Sequence, residues 1–236
     1  MARIRPLVAM RAMKKARENP DDTAVAIQVI GALSGNSGRR HLKRFKQSPR
    51  GARILREKRD LFDILTDKER LLAMPPGSLG RTIIEWFIRE NISTEGLAQA
   101  SEAAGKVLGN RGKVSADEQV YGTRLRNLHD VFHVLAGYDR DLRGEVGVLA
   151  FTLAQAYNRG IAYLVFQAVR RSGWNSELGK LARQGYRRGR RAGPLVEQDW
   201  GTLFKRPIDE VREELGVGPP PVYEQLRSAG APALSA

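Results

Sequence analysis

The chain has 236 residues, enough for one sizeable core or two small ones, with a globular balance of 42% hydrophobic and 28% charged residues. It contains no cysteine, which excludes a disulfide framework, a thiolate zinc site and cysteine catalysis. Its formal net charge of +14 is gathered in two blocks, residues 39–59 with ten Lys/Arg against Glu57 and residues 170–191 with eight against Glu177.

From the N-terminus to Glu18 the chain is basic and amphipathic, without the apolar run and cleavage site of a secretory signal, and reads as a basic first helix. Asp21 and Asp22 can cap a helix carrying Val25, Ile27, Val29, Ile30 and Leu33, ended by Ser34-Gly35-Asn36. Residues 39–59 predict short basic helices interrupted at Ser48-Pro49, and residues 61–72 continue helical until Pro75-Pro76-Gly77 breaks the chain. Ser78 can cap the next helix, with Leu79, Ile83, Trp86 and Phe87 as its apolar stripe and Arg81, Glu85 and Arg89 as a charge ladder. Another helix is predicted from Ser93-Thr94-Glu95-Gly96 to about Leu108, followed by a loop at Asn110-Arg111-Gly112.

Ser115 to Glu118 forms a capping box, opening a helix through Val120, Leu125, Leu128, Val131, Phe132 and Leu135 that Gly137 closes. Asp141 caps the next helix, which carries Glu145 in its first turn. The long apolar stretch of residues 146–169 includes Arg159, and an arginine at a bilayer centre costs about 2.5–3.5 kcal/mol. It therefore reads as a buried helix or helix pair and not a membrane span. A basic helix follows Gly173 to about Ala192. Pro194, Trp200 and Phe204 mark a looser, partly buried segment, and a last helix opens at Pro207 and stops at Gly216. No strand alternation, repeat or linker stands out. The expected architecture is a single all-α domain over residues 1–217 with a metal site between two helices, and a flexible C-terminal tail over 218–236.

The chemistry-bearing pattern is His129-Asp130-x-x-His133, followed after an eleven-residue gap by Glu145. Positions i and i+4 of a helix project about 40° apart around its axis, so the two imidazoles share a face, with Asp130 at its edge. Glu145 can fold back from the second helix. Two imidazoles and one or two carboxylates suit a divalent metal, in zinc hydrolysis or iron(II)/oxygen chemistry. Three alternatives stay open at this point. The histidines can be a buried pair hydrogen-bonded to Asp130 and Glu145. A zinc protease would need Glu where Asp130 stands. An HD-type phosphohydrolase would need a further upstream histidine, and only His41 is available, in an arginine-rich stretch. The basic blocks can attract polyanions or be solvated faces; their sparse aromatics, Phe45, Trp174 and Tyr186, form no stacking pattern, so nucleic acid is not the expected partner.

The segment Arg126-x-x-His129-Asp130-Val131-Phe132-His133-Val134-Leu135-Ala136-Gly137-Tyr138, with Gly144-Glu145 behind it, resembles the coenzyme Q biosynthesis protein 4 family, whose signature is HDxxH with a glutamate twelve residues on. Further similar blocks are Asn19-Pro20-Asp21-Asp22-Thr23, the turn from Leu72 to Gly80, Arg188-Gly189-Arg190, Asp199-Trp200 and Pro207-x-x-Glu210-Val211-Arg212, so that roughly residues 4–217 are covered. Thr82-Ile83-Ile84 departs from the family, which often has an aromatic there. The resemblance implies an α-helical fold and one divalent metal, zinc or iron, held by His129, Asp130, His133 and Glu145. It implies a role in ubiquinone biosynthesis: oxidative decarboxylation of a polyprenylated hydroxybenzoate, carboxyl to hydroxyl at ring carbon 1, in a lyase-type enzyme. The alternative it leaves is a non-catalytic, lipid-binding scaffold for the other ubiquinone-biosynthesis proteins. Expected partners are the prenylated precursor or another isoprenoid lipid, those biosynthetic proteins, an anionic membrane surface and a second copy in a homodimer. The absence of a long presequence gives the expectation of a bacterial member, cytoplasmic and peripheral on the inner membrane, or matrix-side if eukaryotic. Arg126, Tyr138, Leu149, Leu153 and Tyr157 are the candidate substrate-binding residues; Arg126 is placed either to meet a substrate carboxylate or to pair with Asp130.

Overall fold

The computed structural model describes residues 4–18, 22–58, 61–93, 96, 99, 115–228 and 234. Apart from Ser93, Gly96 and Gln99, the helix expected from Ser93–Gly96 to about Leu108 lies outside the described residues, as do the loop at 110–112 and Asn19, Pro20 and Asp21 of the Asn19–Thr23 block. Among the described residues there are thirteen α-helices, one 3-10 turn and no strand. They are α1 (Pro6–Glu18), α2 (Thr23–Ser34), α3 (Arg39–Gln47), α4 (Pro49–Glu57), α5 (Phe62–Thr66), α6 (Lys68–Leu72), α7 (Leu79–Arg89), α8 (Ala116–Ala136), α9 (Leu142–Gln155), α10 (Arg159–Ser172), α11 (Glu177–Arg191), α12 (Trp200–Leu203) and α13 (Ile208–Glu214).

Local chemistry sets most of the helix starts. Ser48, Ser78, Ser115, Asp141, Asn158 and Ser176 each accept a backbone N–H of the first turn. The expected single helix over residues 61–72 is instead two short ones, because Asp67 caps Arg70 N–H and restarts the chain. The apolar stretch of residues 146–169 is a helix pair, α9 and α10, parted at Ala156–Asn158. No helix among the described residues is long and apolar enough to cross a membrane.

The main core joins α7, α8 and α9 to the C-terminal helices through Ile83, Phe87, Leu128, Phe132, Phe151, Trp200 and Phe204. Trp200 and Phe204, expected in a looser segment, are 1% and 0% exposed, because the Pro75–Ser78 turn binds that segment back. Leu79 N–H bonds Arg206 O at 2.9 Å, and Gly80 N–H bonds Phe204 O at 2.8 Å. Ile83 and Ile84, where the family often has an aromatic nearby, face this core and not a lipid or dimer surface. A smaller cluster packs α1 and α2 against α10 through Ala12, Val25, Val29, Tyr163 and Leu164.

α9 and α11 approach most closely. A Cβ on Gly185 would stand 2.3 Å from the Gly147 carbonyl oxygen, and one on Gly189 would stand 2.5 Å from the Phe151 carbonyl oxygen. The two backbones therefore touch, and this contact fixes the helix that carries Glu145. Residues 218–228 have no helix or strand, yet they bond to the α8–α9 connection and to α7.

Candidate metal centre

α8 is built to present two histidines. The Ser115–Glu118 capping box starts it, and Gly137 ends it in the left-handed conformation (φ +71°) that glycine adopts without steric cost. Three carbonyls of its last turn receive arginines from elsewhere. Arg188 Nη1 donates to Ala136 O at 2.7 Å, and Arg212 donates to Leu135 O at 2.9 Å and Val134 O at 3.1 Å. Cations at this end also complement the helix dipole.

One turn from that end, His129 and His133 bring their Nε2 atoms to 3.2 Å. Glu145, in the first turn of α9, completes the group with Oε2 3.5 Å from His129 Nε2 and Oε1 3.4 Å from His133 Nε2. These three side chains are the one group among the described residues whose donor atoms converge as metal ligands do. The donor set fits a divalent ion. Ligands about 2.0–2.1 Å from a tetrahedral zinc stand about 3.3 Å from one another, which matches the observed separations.

The surroundings orient His133. A carbonyl can only accept, so the 2.8 Å contact between His133 Nδ1 and Tyr138 O places a proton on Nδ1 and turns Nε2 toward Glu145. Trp86 of α7 stacks on the ring with centroids 5.3 Å apart. His133 is 1% exposed in its side chain, whereas His129 and Glu145 are 28% and 37% exposed, so the group is closed behind His133 and open on the other side.

The electrostatics follow from this packing. Burial works against a charged His133, but the Glu145 charge and hydrogen bond, the Tyr138 carbonyl and the Asp130 charge outweigh it and raise its pKa. Burial alone would raise Glu145, yet the attraction and hydrogen bonds of His133 and His129 hold its carboxyl well below the usual range. Asp130 is buried, and desolvation raises its pKa against the opposing pull of the two histidines; its carboxylate is not among the converging atoms.

The other sequence-singled residues are spread more widely. Arg126 is half-buried on α8, its Nε 3.4 Å from Asn127 Oδ1. Tyr138 contributes to the site through its carbonyl. Its ring is buried against Gly147 and Gly185, with the Arg188 guanidinium 5.4 Å from its centroid. Leu153 lines an apolar cavity of about 320 Å³ between α9, α10 and α11, together with Ala150, Val165, Phe166, Val169 and Trp174. Leu149 is half-buried on the same helix, and Tyr157 is 46% exposed. His41 is remote from the group, its Nε2 accepting Tyr157 N–H at 3.3 Å, so the phosphohydrolase reading loses its third histidine. The residues that sequence reasoning missed are Trp86, Arg188 and Arg212. In the sequence Trp86 reads as one member of an apolar stripe, Arg188 as part of a basic block and of a family-like block, and Arg212 only as part of a family-like block.

Compared with known proteins, the chain matches the family described as "Coenzyme Q (ubiquinone) biosynthesis protein Coq4" over residues 5–102 and 113–221. It is 28% identical over 184 residues to "Ubiquinone biosynthesis protein coq-4, mitochondrial" of Neurospora crassa, covering 76% of this chain and 49% of that one. It is 27% identical over 207 residues to "Ubiquinone biosynthesis protein COQ4 homolog, mitochondrial" of Rattus norvegicus, covering 84% of this chain and 73% of that one. The chain thus spans about half the length of the Neurospora relative. A crystal structure of a Nostoc punctiforme PCC 73102 protein shares the fold, with a TM-score of 0.65 and 22% identity over 90% of this chain and 96% of that one.

Proposed function

The chain belongs to the coenzyme Q (ubiquinone) biosynthesis protein Coq4 family, and on that premise we propose that it serves ubiquinone biosynthesis as a metal-dependent oxidative decarboxylase. The substrate would be a polyprenylated hydroxybenzoate, its ring carboxyl replaced by hydroxyl. The change is a two-electron oxidation: the aryl carboxylic acid, dioxygen, two protons and two electrons give the phenol, carbon dioxide and water. The observation that carries the reading is the convergence of His129, His133 and Glu145 at ligand spacing with one side open to solvent, since catalytic metal sites keep an open position and structural ones are closed.

His129, His133 and Glu145 would hold the ion, with Asp130 as a further ligand or as the buried charge behind them. A divalent ion held there would supply a Lewis-acid or redox centre. The protein's own groups do the rest. Tyr138 O and Trp86 keep His133 in one tautomer and one orientation. Arg126, one turn before His129, would be the cation that meets the substrate carboxylate. The prenyl tail would lie in the apolar cavity along α9, the helix that bears Glu145, against Leu153, with Leu149 on the same helix and exposed Tyr157 just past its end. Phe166, Trp174 and Tyr186, exposed around that cavity with Arg183 and Arg187, are the face for an anionic membrane. Exposed Leu7 and Met10 on α1 offer an apolar surface to a second copy or to another biosynthetic protein.

The test is metal analysis of purified wild type and His133→Ala, followed by incubation with prenylated hydroxybenzoate and a reductant under oxygen. The expected result is one ion per wild-type chain and hydroxylated, decarboxylated product, both lost in the variant. Metal and product that survive His133→Ala would overturn the site. Intact metal without product would turn the assignment to a scaffold that organises the other enzymes.

A further inference from the structure

The family match ends at residue 221, but the chain beyond it runs across the joint between α8 and α9. Tyr223 Oη accepts Asp139 N–H at 2.8 Å and donates to Asp141 Oδ2 at 2.8 Å. Leu226 N–H donates to Asp141 Oδ1 at 3.0 Å, and Leu226 O accepts Leu142 N–H at 2.9 Å. Gln225 Nε2 reaches Asp139 Oδ2 at 2.6 Å, and Arg227 Nη1 reaches Glu90 Oε2 at 3.0 Å, where Glu90 is 1% exposed. Pro220 packs on Gly137 so closely that a Cβ there would stand 2.5 Å from it.

Each anchor leads to the metal group. Asp141 is the N-cap of α9, accepting Arg143 N–H at 3.0 Å and Gly144 N–H at 3.3 Å, and Glu145 is the next residue. The 137–141 connection holds Tyr138, whose carbonyl orients His133. Glu90 caps α7, one turn beyond Trp86, which stacks on His133.

We infer that residues 223–227 are a positioning strap, with Tyr223 as its central residue, that sets His133 and Glu145 for metal binding by fixing the connection between their helices. The inference rests on the metal reading above for its consequence, though not for its geometry. A buried aspartate with both carboxylate oxygens committed, each to a helix start or a strap group, holds a helix terminus far more firmly than a cap exposed to water. Residues that orient metal ligands from behind commonly change affinity about 10–100-fold when altered.

The experiment compares wild type with Tyr223→Phe, which keeps the ring and removes the bridging hydroxyl, and with a chain ending at Pro221. Hydrogen exchange of amides 138–145 and the His133 Nδ1–H resonance are read on metal-free protein. Cobalt(II) affinity and absorption are read separately. The expected result is exchange about ten-fold faster, confined to residues 138–145, a weakened or shifted imidazole signal, and cobalt affinity lower by roughly ten-fold with an altered spectrum. Unchanged exchange across 138–145 in both variants overturns the strap. So does an acceleration spread evenly over the chain, which would mark general destabilisation. If wild type binds no cobalt, the metal reading fails, while exchange on metal-free protein still decides the strap.

Discussion

His133 shows how one side chain can be assigned two tasks by its neighbours. Its Nδ1–H is committed to Tyr138 O, and its Nε2 faces Glu145. The raised pKa means that the metal-free site keeps a proton at a pH where an ordinary histidine, at 6.5, has begun to lose it. A group raised in this way stabilises the fold most below its unfolded pKa, and that contribution disappears as pH climbs through the folded value. Metal binding has the opposite sign, because the ion must displace the proton. Metal-free protein should therefore lose thermal stability as pH rises from 6 to 8, while zinc affinity rises over the same window; parallel melting and zinc titrations at each pH check both. A zinc affinity that is flat with pH would mean that His133 is not a ligand. The HDxxH…E pattern was legible because i,i+4 spacing and a Gly-closed helix are local facts. The Tyr138 carbonyl and the Trp86 stack were not, since they depend on where α7 packs.

At the scale of elements, the α9–α11 contact decides where Glu145 sits. Gly185→Ala should destabilise the protein by about 1–3 kcal/mol, the usual cost of forcing a methyl into a packed core, and should lower cobalt or zinc affinity through α9. Differential scanning calorimetry gives the first quantity, and an unchanged melting temperature would show that the helices can part at no cost. The seam was hidden in the sequence. Gly185 and Gly189 lie four apart, but arginines surround them, and the segment read as a basic surface helix. Arg188 was hidden for the same reason, its charge being turned onto the end of α8. Caps at Ser78, Ser115 and Asp141 were legible because each bonds within its own first turn. The burial of Trp200 and Phe204 was not, because it depends on pairing with the distant Ser78 turn.

Across the whole molecule, the formal charge overstates the free basic surface. Lys46 pairs with Asp117, Arg53 with Glu57 and Arg143 with Glu177, while Arg188 and Arg212 turn inward. Part of what remains rims the apolar cavity, where Arg183 and Arg187 stand with exposed Trp174 and Phe166. Each basic residue near an anionic bilayer contributes about 1 kcal/mol. Flotation with phosphatidylglycerol vesicles should therefore recover the protein at low salt. Trp174→Ser with Arg187→Gln should reduce recovery several-fold, and neutral vesicles should recover little. Equal recovery of the double variant would place the membrane face elsewhere. The all-α class was legible from periodicity and punctuation; the rim of this cavity was not, because sequence cannot tell a solvated arginine from one that lines a cavity.

Trp86 and the Tyr138 carbonyl close His133 from behind, and among the described residues the cluster opens along His129 and Glu145. On the proposed decarboxylase reading, an aromatic headgroup that filled this opening would be the stopper as well as the reactant. Anything small needed inside, a water or an oxidant, would then have to enter first, and the order of arrivals would do the gating that a moving lid does in other proteins.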